Sequence, residues 1–136
     1  MKIVVDANVL FSALLKDGTT RKLWFNPDFI LIAPAQLLVE FSKYHDELRT
    51  RFEGSDKEFE EWLNRMLVQV QFVSNEELTP FLPAAESLIR DPKDWLYLAC
   101  ALKEGAIIWS QDTGFTEQKR IKVKSTKEMV EEFGRL

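Results

Sequence analysis

The chain has 136 residues, 46% of them hydrophobic, and a formal net charge of -4. That length buries one substantial core and is too short for two ordinary domains, so residues 1–136 are expected to form a single domain. The longest apolar runs, such as Phe29 to Ala33 and Ala106 to Trp109, are strand-length and far below the roughly 20 residues of a membrane span. No cleavable signal follows Met1 and Lys2, and the lone Cys100 has no partner for an internal disulfide, so a cytoplasmic setting without membrane association is expected.

Taken in order, the chain opens on Ile3-Val4-Val5. Three β-branched residues in a row predict an interior strand covered on both faces. The strand ends at Asp6, with Asn8 two residues on. In open parallel α/β sheets ligands bind beyond the carboxyl ends of the strands, so both residues fall where chemistry normally occurs. The competing reading is that Asp6 only caps the next helix, Asn8 to Leu14. Lys16-Asp17-Gly18 closes that helix, a short helical piece spans Thr20 to Trp24, and Asn26-Pro27-Asp28 breaks the chain before a second strand, Phe29 to Ala33. Pro34 is expected at the first position of a helix whose Leu37, Leu38 and Phe41 share a buried face, with Glu40 at its border.

Ser55-Asp56-Lys57-Glu58 has the form of a capping box and opens a helix carrying Phe59, Trp62, Leu63 and Met66. Alternation after it predicts a third strand near Val68 to Phe72. Glu76 to Leu88 has a helical pattern that tolerates Pro80 and Pro83 only if both fall near its first turn. Asp91 as N-cap and Pro92 at the first position lead into Trp95 to Leu102, with Gly105 as the stop. Ala106 to Ser110 is the fourth strand, Asp112 stands just past it, and Ile121 to Val123 is the fifth. A second capping box, Ser125 to Glu128, starts a last helix ending at Gly134. Strands alternating with helices imply an α/β sandwich with a mainly parallel sheet of about five strands.

Four acids stand out in this frame. Asp6 and Asp112 follow strands, Glu40 borders a buried helix face, and Asp94 lies in a first turn. Right-handed crossovers bring the strand ends to one edge of the sheet, and packed carboxylates at neutral pH require a cation or a raised pKa. An all-oxygen ligand set suits Mg²⁺ or Mn²⁺ and disfavours zinc. Singly, each acid has a plain structural reading: Asp94 on a helix dipole, Asp112 in a turn, Glu40 paired with Lys43 or Arg49. His45, the only histidine, reads as a surface residue.

These pieces together resemble the PIN domain family of compact metal-dependent nucleases. The matching segments are Val4-Val5-Asp6-Ala7-Asn8-Val9-Leu10, Glu40 in the helix after the second strand, Asp91 to Leu102, and Ile107-Ile108-Trp109-Ser110-Gln111-Asp112. The resemblance implies a three-layer α/β/α sandwich and an acidic metal site of Asp6, Glu40, Asp94 and Asp112 acting on RNA, with Asn8 and Ser110 in support. Asp94 matches the family acid because it stands seven residues before Ala101; Asp91 is then the helix cap, able to reach the site as an outer group. Bound Mg²⁺ or Mn²⁺ would activate water and neutralise charge on the scissile phosphate.

Although the chain is acidic overall, Lys119, Arg120, Lys122 and Lys124 form a basic stripe. The stripe could lead an RNA backbone to the acids or simply blunt a sheet edge. The resemblance further implies a toxin paired with a small antitoxin; an RNA-maturation nuclease without one, a non-catalytic RNA-binding domain and an aspartate-nucleophile phosphatase are alternatives. The last would need a second aspartate where Asn8 stands. Leu23, Trp24, Phe25 and Trp62, large residues on short helices, lead us to expect a homodimer.

Overall fold

The computed structural model describes residues 1–134. Its frame is a five-stranded sheet of β1 (Lys2–Val5), β2 (Ile30–Pro34), β3 (Val70–Val73), β4 (Ile107–Trp109) and β5 (Val123–Lys124), in the order β3-β2-β1-β4-β5. Every pairing is parallel. Ile3, Val4 and Val5 of the central strand are fully buried, as their β-branched run predicts for a strand covered on both sides.

Helices α1 (Ala7–Leu15), α2 (Thr19–Trp24), α3 (Gln36–Arg51) and α4 (Asp56–Val68) follow the first two strands, and α1 packs against the other three. After β3 come α5 (Asn75–Leu78), α6 (Leu82–Leu88) and α7 (Trp95–Glu104). Helix α7 lies across β1 and β2 and carries α5 and α6 on its outer side. The last helix, α8 (Thr126–Phe133), returns against β5 and α2. The order reverses at β1, since the chain moves outward to β3 and then crosses to β4; this makes the β1–β4 border the topological switch point. Both expected capping boxes are present, Ser55 with Glu58 and Ser125 with Glu128. Gly105 takes the left-handed conformation that ends α7, at φ 62°.

Several boundaries differ from the sequence reading, each for a local reason. Pro34 ends β2 instead of opening α3, pairing with Val73 while the next N–H, of Ala35, bonds the Val73 carbonyl at 2.9 Å. Its pairing with β1 has already ended at Ile32, so the missing proline N–H costs the ladder nothing there. Leu38 points outward, 38% exposed, while Leu37 and Phe41 carry the buried face. Helix α4 persists through Val68, which shortens β3. The expected helix from Glu76 to Leu88 is split into α5, a 3-10 turn at Thr79–Phe81 and α6, with a proline in the opening positions of the last two pieces. β5 starts late because the Gln118 side chain binds both backbone groups of Ile121, accepting from its N–H at 2.7 Å and donating to its carbonyl at 2.8 Å.

Of the four residues expected to face a second subunit, two are covered within the chain and two, Phe25 and Trp62, are half-buried. Leu23 and Trp24 are buried, and the Trp24 indole donates to the Met66 carbonyl at 3.0 Å. Trp62 lies under two guanidinium groups, Arg21 at 4.1 Å and Arg65 at 4.5 Å from its ring centre, with Phe25 beside it. Cys100 is buried, and no helix among the described residues is long and apolar enough to cross a membrane.

Candidate active site

Because β1 and β4 are parallel neighbours, their carboxyl ends deliver Asp6 and Asp112 to the same edge of the sheet. Asp6 occupies the cap position of α1, but its carboxylate makes no side-chain cap hydrogen bond. It accepts instead from the Ser110 hydroxyl at 2.6 Å. The same hydroxyl accepts the backbone N–H of Asp112 at 2.9 Å, so one serine ties both strand ends together. Asp112 in turn caps the 3-10 turn Thr113–Glu117, taking the Gly114 N–H at 2.8 Å.

Helix α3 brings Glu40 from the other side. Gln36, one turn earlier, donates to Glu40 Oε1 at 2.8 Å, and the buried Tyr97 hydroxyl donates to Oε2 at 3.2 Å. Both carboxylate oxygens are thereby fixed. Asp94 is buried at the join between the 3-10 turn Pro92–Asp94 and α7. A Cβ on Gly114 would stand 3.1 Å from Asp112 Oδ1 and 3.2 Å from Asp94 Oδ2. A side chain here would push both carboxylates aside by a few tenths of an ångström, which the glycine avoids.

Asp6, Glu40, Asp94 and Asp112 line one cleft of about 510 Å³, together with Asn8. The electrostatics are those of crowded acids. Burial, opposed by Ser110 and reinforced by the charge of Asp112, pushes Asp6 above the ordinary carboxylate range. Glu40 is pushed up by burial and by Asp6, against the pull of its Gln36 and Tyr97 hydrogen bonds. Asp94 is raised to about 7, first by burial, then by Asp112 and Asp91. Burial and the Glu40 and Asp6 charges raise the Tyr97 phenol too, keeping it a neutral donor. Among the described residues, no three of the acids are gathered closely enough to hold a metal ion as the side chains stand. What the four share is chemistry: all-oxygen donors of the kind a hard divalent cation takes.

Asp91 stays outside the cleft lining. It caps the turn by accepting the Lys93 N–H at 3.1 Å and pairs with the Lys93 ammonium at 3.4 Å. The basic stripe is outside as well: Lys119, Arg120, Lys122 and Lys124 belong to edge strand β5 and its approach, and none lines the cleft. Lys124 is already paired with Glu132 and lies 5.4 Å from the Phe133 ring centre. The cations that do line the cleft are Lys43, Arg51 and Lys93, beside Phe11, Tyr44 and Glu47. The spacing Glu40, Lys43, Tyr44, Glu47, Arg51 holds these α3 residues on one helix face, a signal readable once Glu40 is taken as facing the site.

A family model for the PIN domain matches residues 4–134. Among solved structures, VapBC2 from Rickettsia felis, bound to a DNA fragment from its promoter, matches with a TM-score of 0.68 at 13% identity, over 92% of this chain and 98% of that one. PAE2754 from Pyrobaculum aerophilum matches with a TM-score of 0.65 at 14% identity, over 100% of this chain and 97% of that one. No curated protein matches significantly. At such identities the two structures speak for the shared fold, and the family model speaks for descent: the chain belongs to the PIN domain family.

Proposed function

We propose that this protein is a metal-dependent endoribonuclease, hydrolysing RNA phosphodiester bonds, and that it serves as the toxin of a toxin-antitoxin pair. The observation that carries the nuclease reading is the meeting of Asp6, Glu40, Asp94 and Asp112 in one cleft rimmed by Lys43, Arg51 and Lys93. The four carboxylates would hold Mg²⁺ or Mn²⁺, which when bound acts as a Lewis acid and lowers the pKa of water. Ser110 keeps Asp6 and the Asp112 backbone in register, and Gln36 and Tyr97 hold the Glu40 carboxylate. The rim cations offset the repulsion that an approaching phosphate meets from the acids. Asn8, exposed at the cleft wall, offers a neutral amide to substrate or water.

The antitoxin partner draws support from the structural likeness to VapBC2. A homodimer and a cytoplasmic setting belong to the same proposal. The nuclease reading is tested by incubating purified protein with a mixed RNA panel in Mg²⁺, in Mn²⁺ and in EDTA. Cleavage that needs the metal and disappears in Asp94→Asn supports it; RNA bound but never cut leaves a binding domain. Growth arrest on expression, relieved by the product of an adjacent gene, tests the toxin reading separately.

A further inference from the structure

The cleft extends well beyond its acids, and its far wall sets an aromatic ring among the rim cations, a ring the hydrolytic step does not use. From Glu40 the α3 face continues through Lys43, Tyr44 and Glu47 to Arg51, with Phe11 and Leu48 beside them. At 1.5 Å per residue this wall runs about 16 Å from the acid to the arginine. Tyr44 is 47% exposed, a large aromatic ring left open to solvent. Its ring is nevertheless braced: it meets Phe11 edge-on at 5.7 Å, and Phe11 is held by Phe41 at 6.4 Å. A ring supported at its edge and open over the cleft suits a flat partner. Lys43 immediately precedes Tyr44 and Arg51 follows two turns later, and neither is within 4.0 Å of a carboxylate among the described residues. Glu47 lies between them and limits how much negative charge the wall takes at its centre, where a neutral base would lie.

Building on the ribonuclease reading, we propose that this wall is a subsite for an unpaired nucleobase, stacked on Tyr44, with Lys43 and Arg51 contacting the phosphates on either side. Tyr44 is then the residue at which strandedness is felt, because a base inside a duplex cannot present its face to the tyrosine. Stacking of this kind tolerates any base, so the subsite sets strandedness and reach, not sequence.

The experiment uses the full chain and a short fluorescent single-stranded RNA, with fluorescence anisotropy in EDTA and cleavage kinetics in Mn²⁺. Tyr44→Ala should weaken binding about ten-fold and raise KM by a similar factor while kcat changes little. Tyr44→Phe and Tyr44→Trp should bind as the parent does, since both keep a stacking face. An RNA carrying an abasic nucleotide at the stacked position should lose the same factor with the parent and nothing more with Tyr44→Ala. Lys43→Gln and Arg51→Gln should instead flatten the salt dependence of binding, which Tyr44→Ala leaves unchanged. RNA cleaved and bound equally well by Tyr44→Ala and the parent overturns the subsite and spares the ribonuclease reading. A parent that neither binds nor cleaves any RNA overturns both, and duplex cleaved as readily as single strand overturns the subsite alone.

Discussion

Arg21 and Asp94 are almost equally hidden, at 6% and 4% exposure, and the protein treats their charges in opposite ways. The Arg21 guanidinium donates at 2.8 Å to the carbonyls of Ala13 and of Leu14, which end α1 without helical partners, and it stacks on Trp62. Burial lowers its pKa, but its polar groups have partners on the spot. Asp94 is buried among Asp112, Asp91 and Asp6, with only the exposed Lys93 to offset them, and its pKa rises to about 7. One buried charge is satisfied by the fold and steadies it. The other is held against the fold's own interest, which is how a site prepared for a cation looks in electrostatic terms.

The largest effect that would break this contrast is on cleavage. Asp94→Asn keeps the volume and removes the charge, so cleavage of RNA in saturating Mn²⁺ should fall at least ~100-fold, by initial rates. An Asp94→Asn enzyme that cleaves normally would end the reading of this acid as part of the centre. Arg21→Met is the mirror experiment. It strands two carbonyls at a helix end and should cost about 3 kcal/mol in urea unfolding, with the cleavage rate of the folded protein unchanged.

A smaller effect separates the two charges by pH. With its folded pKa above the unfolded value of 3.8, Asp94 binds a proton more tightly in the native protein than in the unfolded chain. Its contribution to stability is therefore greatest at low pH and is lost as pH rises toward about 7. In EDTA the midpoint of Asp94→Asn should exceed that of the parent by a few degrees at about pH 8 and match it at about pH 4. Added Mn²⁺ should close that gap by stabilising only the parent. The smallest effect is expected of Asp91→Asn, which exchanges one good cap for another. Its stability should stay within about 0.5 kcal/mol of the parent and its cleavage rate within about two-fold.

How far the sequence could be read follows the range of the interactions involved. The β1 strand and Asp6 were legible because a β-branched run ending in a carboxylate is a local pattern, and both capping boxes were legible for the same reason. The meeting of Asp6 and Asp112 followed from strand handedness, and the structure puts them on adjacent strands as expected. The subdivided helix after β3 was half-legible: Pro80 and Pro83 pointed to trouble, but two restarts in place of one long helix depend on packing against α7. The basic residues show that density along the chain is not proximity in space. Lys119, Arg120, Lys122 and Lys124 are close in sequence, whereas Lys43, Arg51 and Lys93 are scattered and still share the cleft. Tyr97, which holds Glu40, reads in sequence as one more apolar position on a buried helix; only its hydroxyl partner, 57 positions away, reveals another task.

The hydrogen bond from Ser110 to Asp6 joins residues 104 positions apart, and the strand that carries Ser110 seats directly beside the first. A chain made from its amino end therefore exposes Asp6 early and leaves it alone through the synthesis of three strands and seven helices. The centre comes into being only when β4 has been released and has found β1, a long-range pairing of the kind that closes late. Under the ribonuclease proposal, a chain that has not yet reached β4 lacks the Ser110 hydroxyl that holds Asp6 and the Asp112 beside it, so half of the strand-end acid pair is missing until four-fifths of the chain has been made.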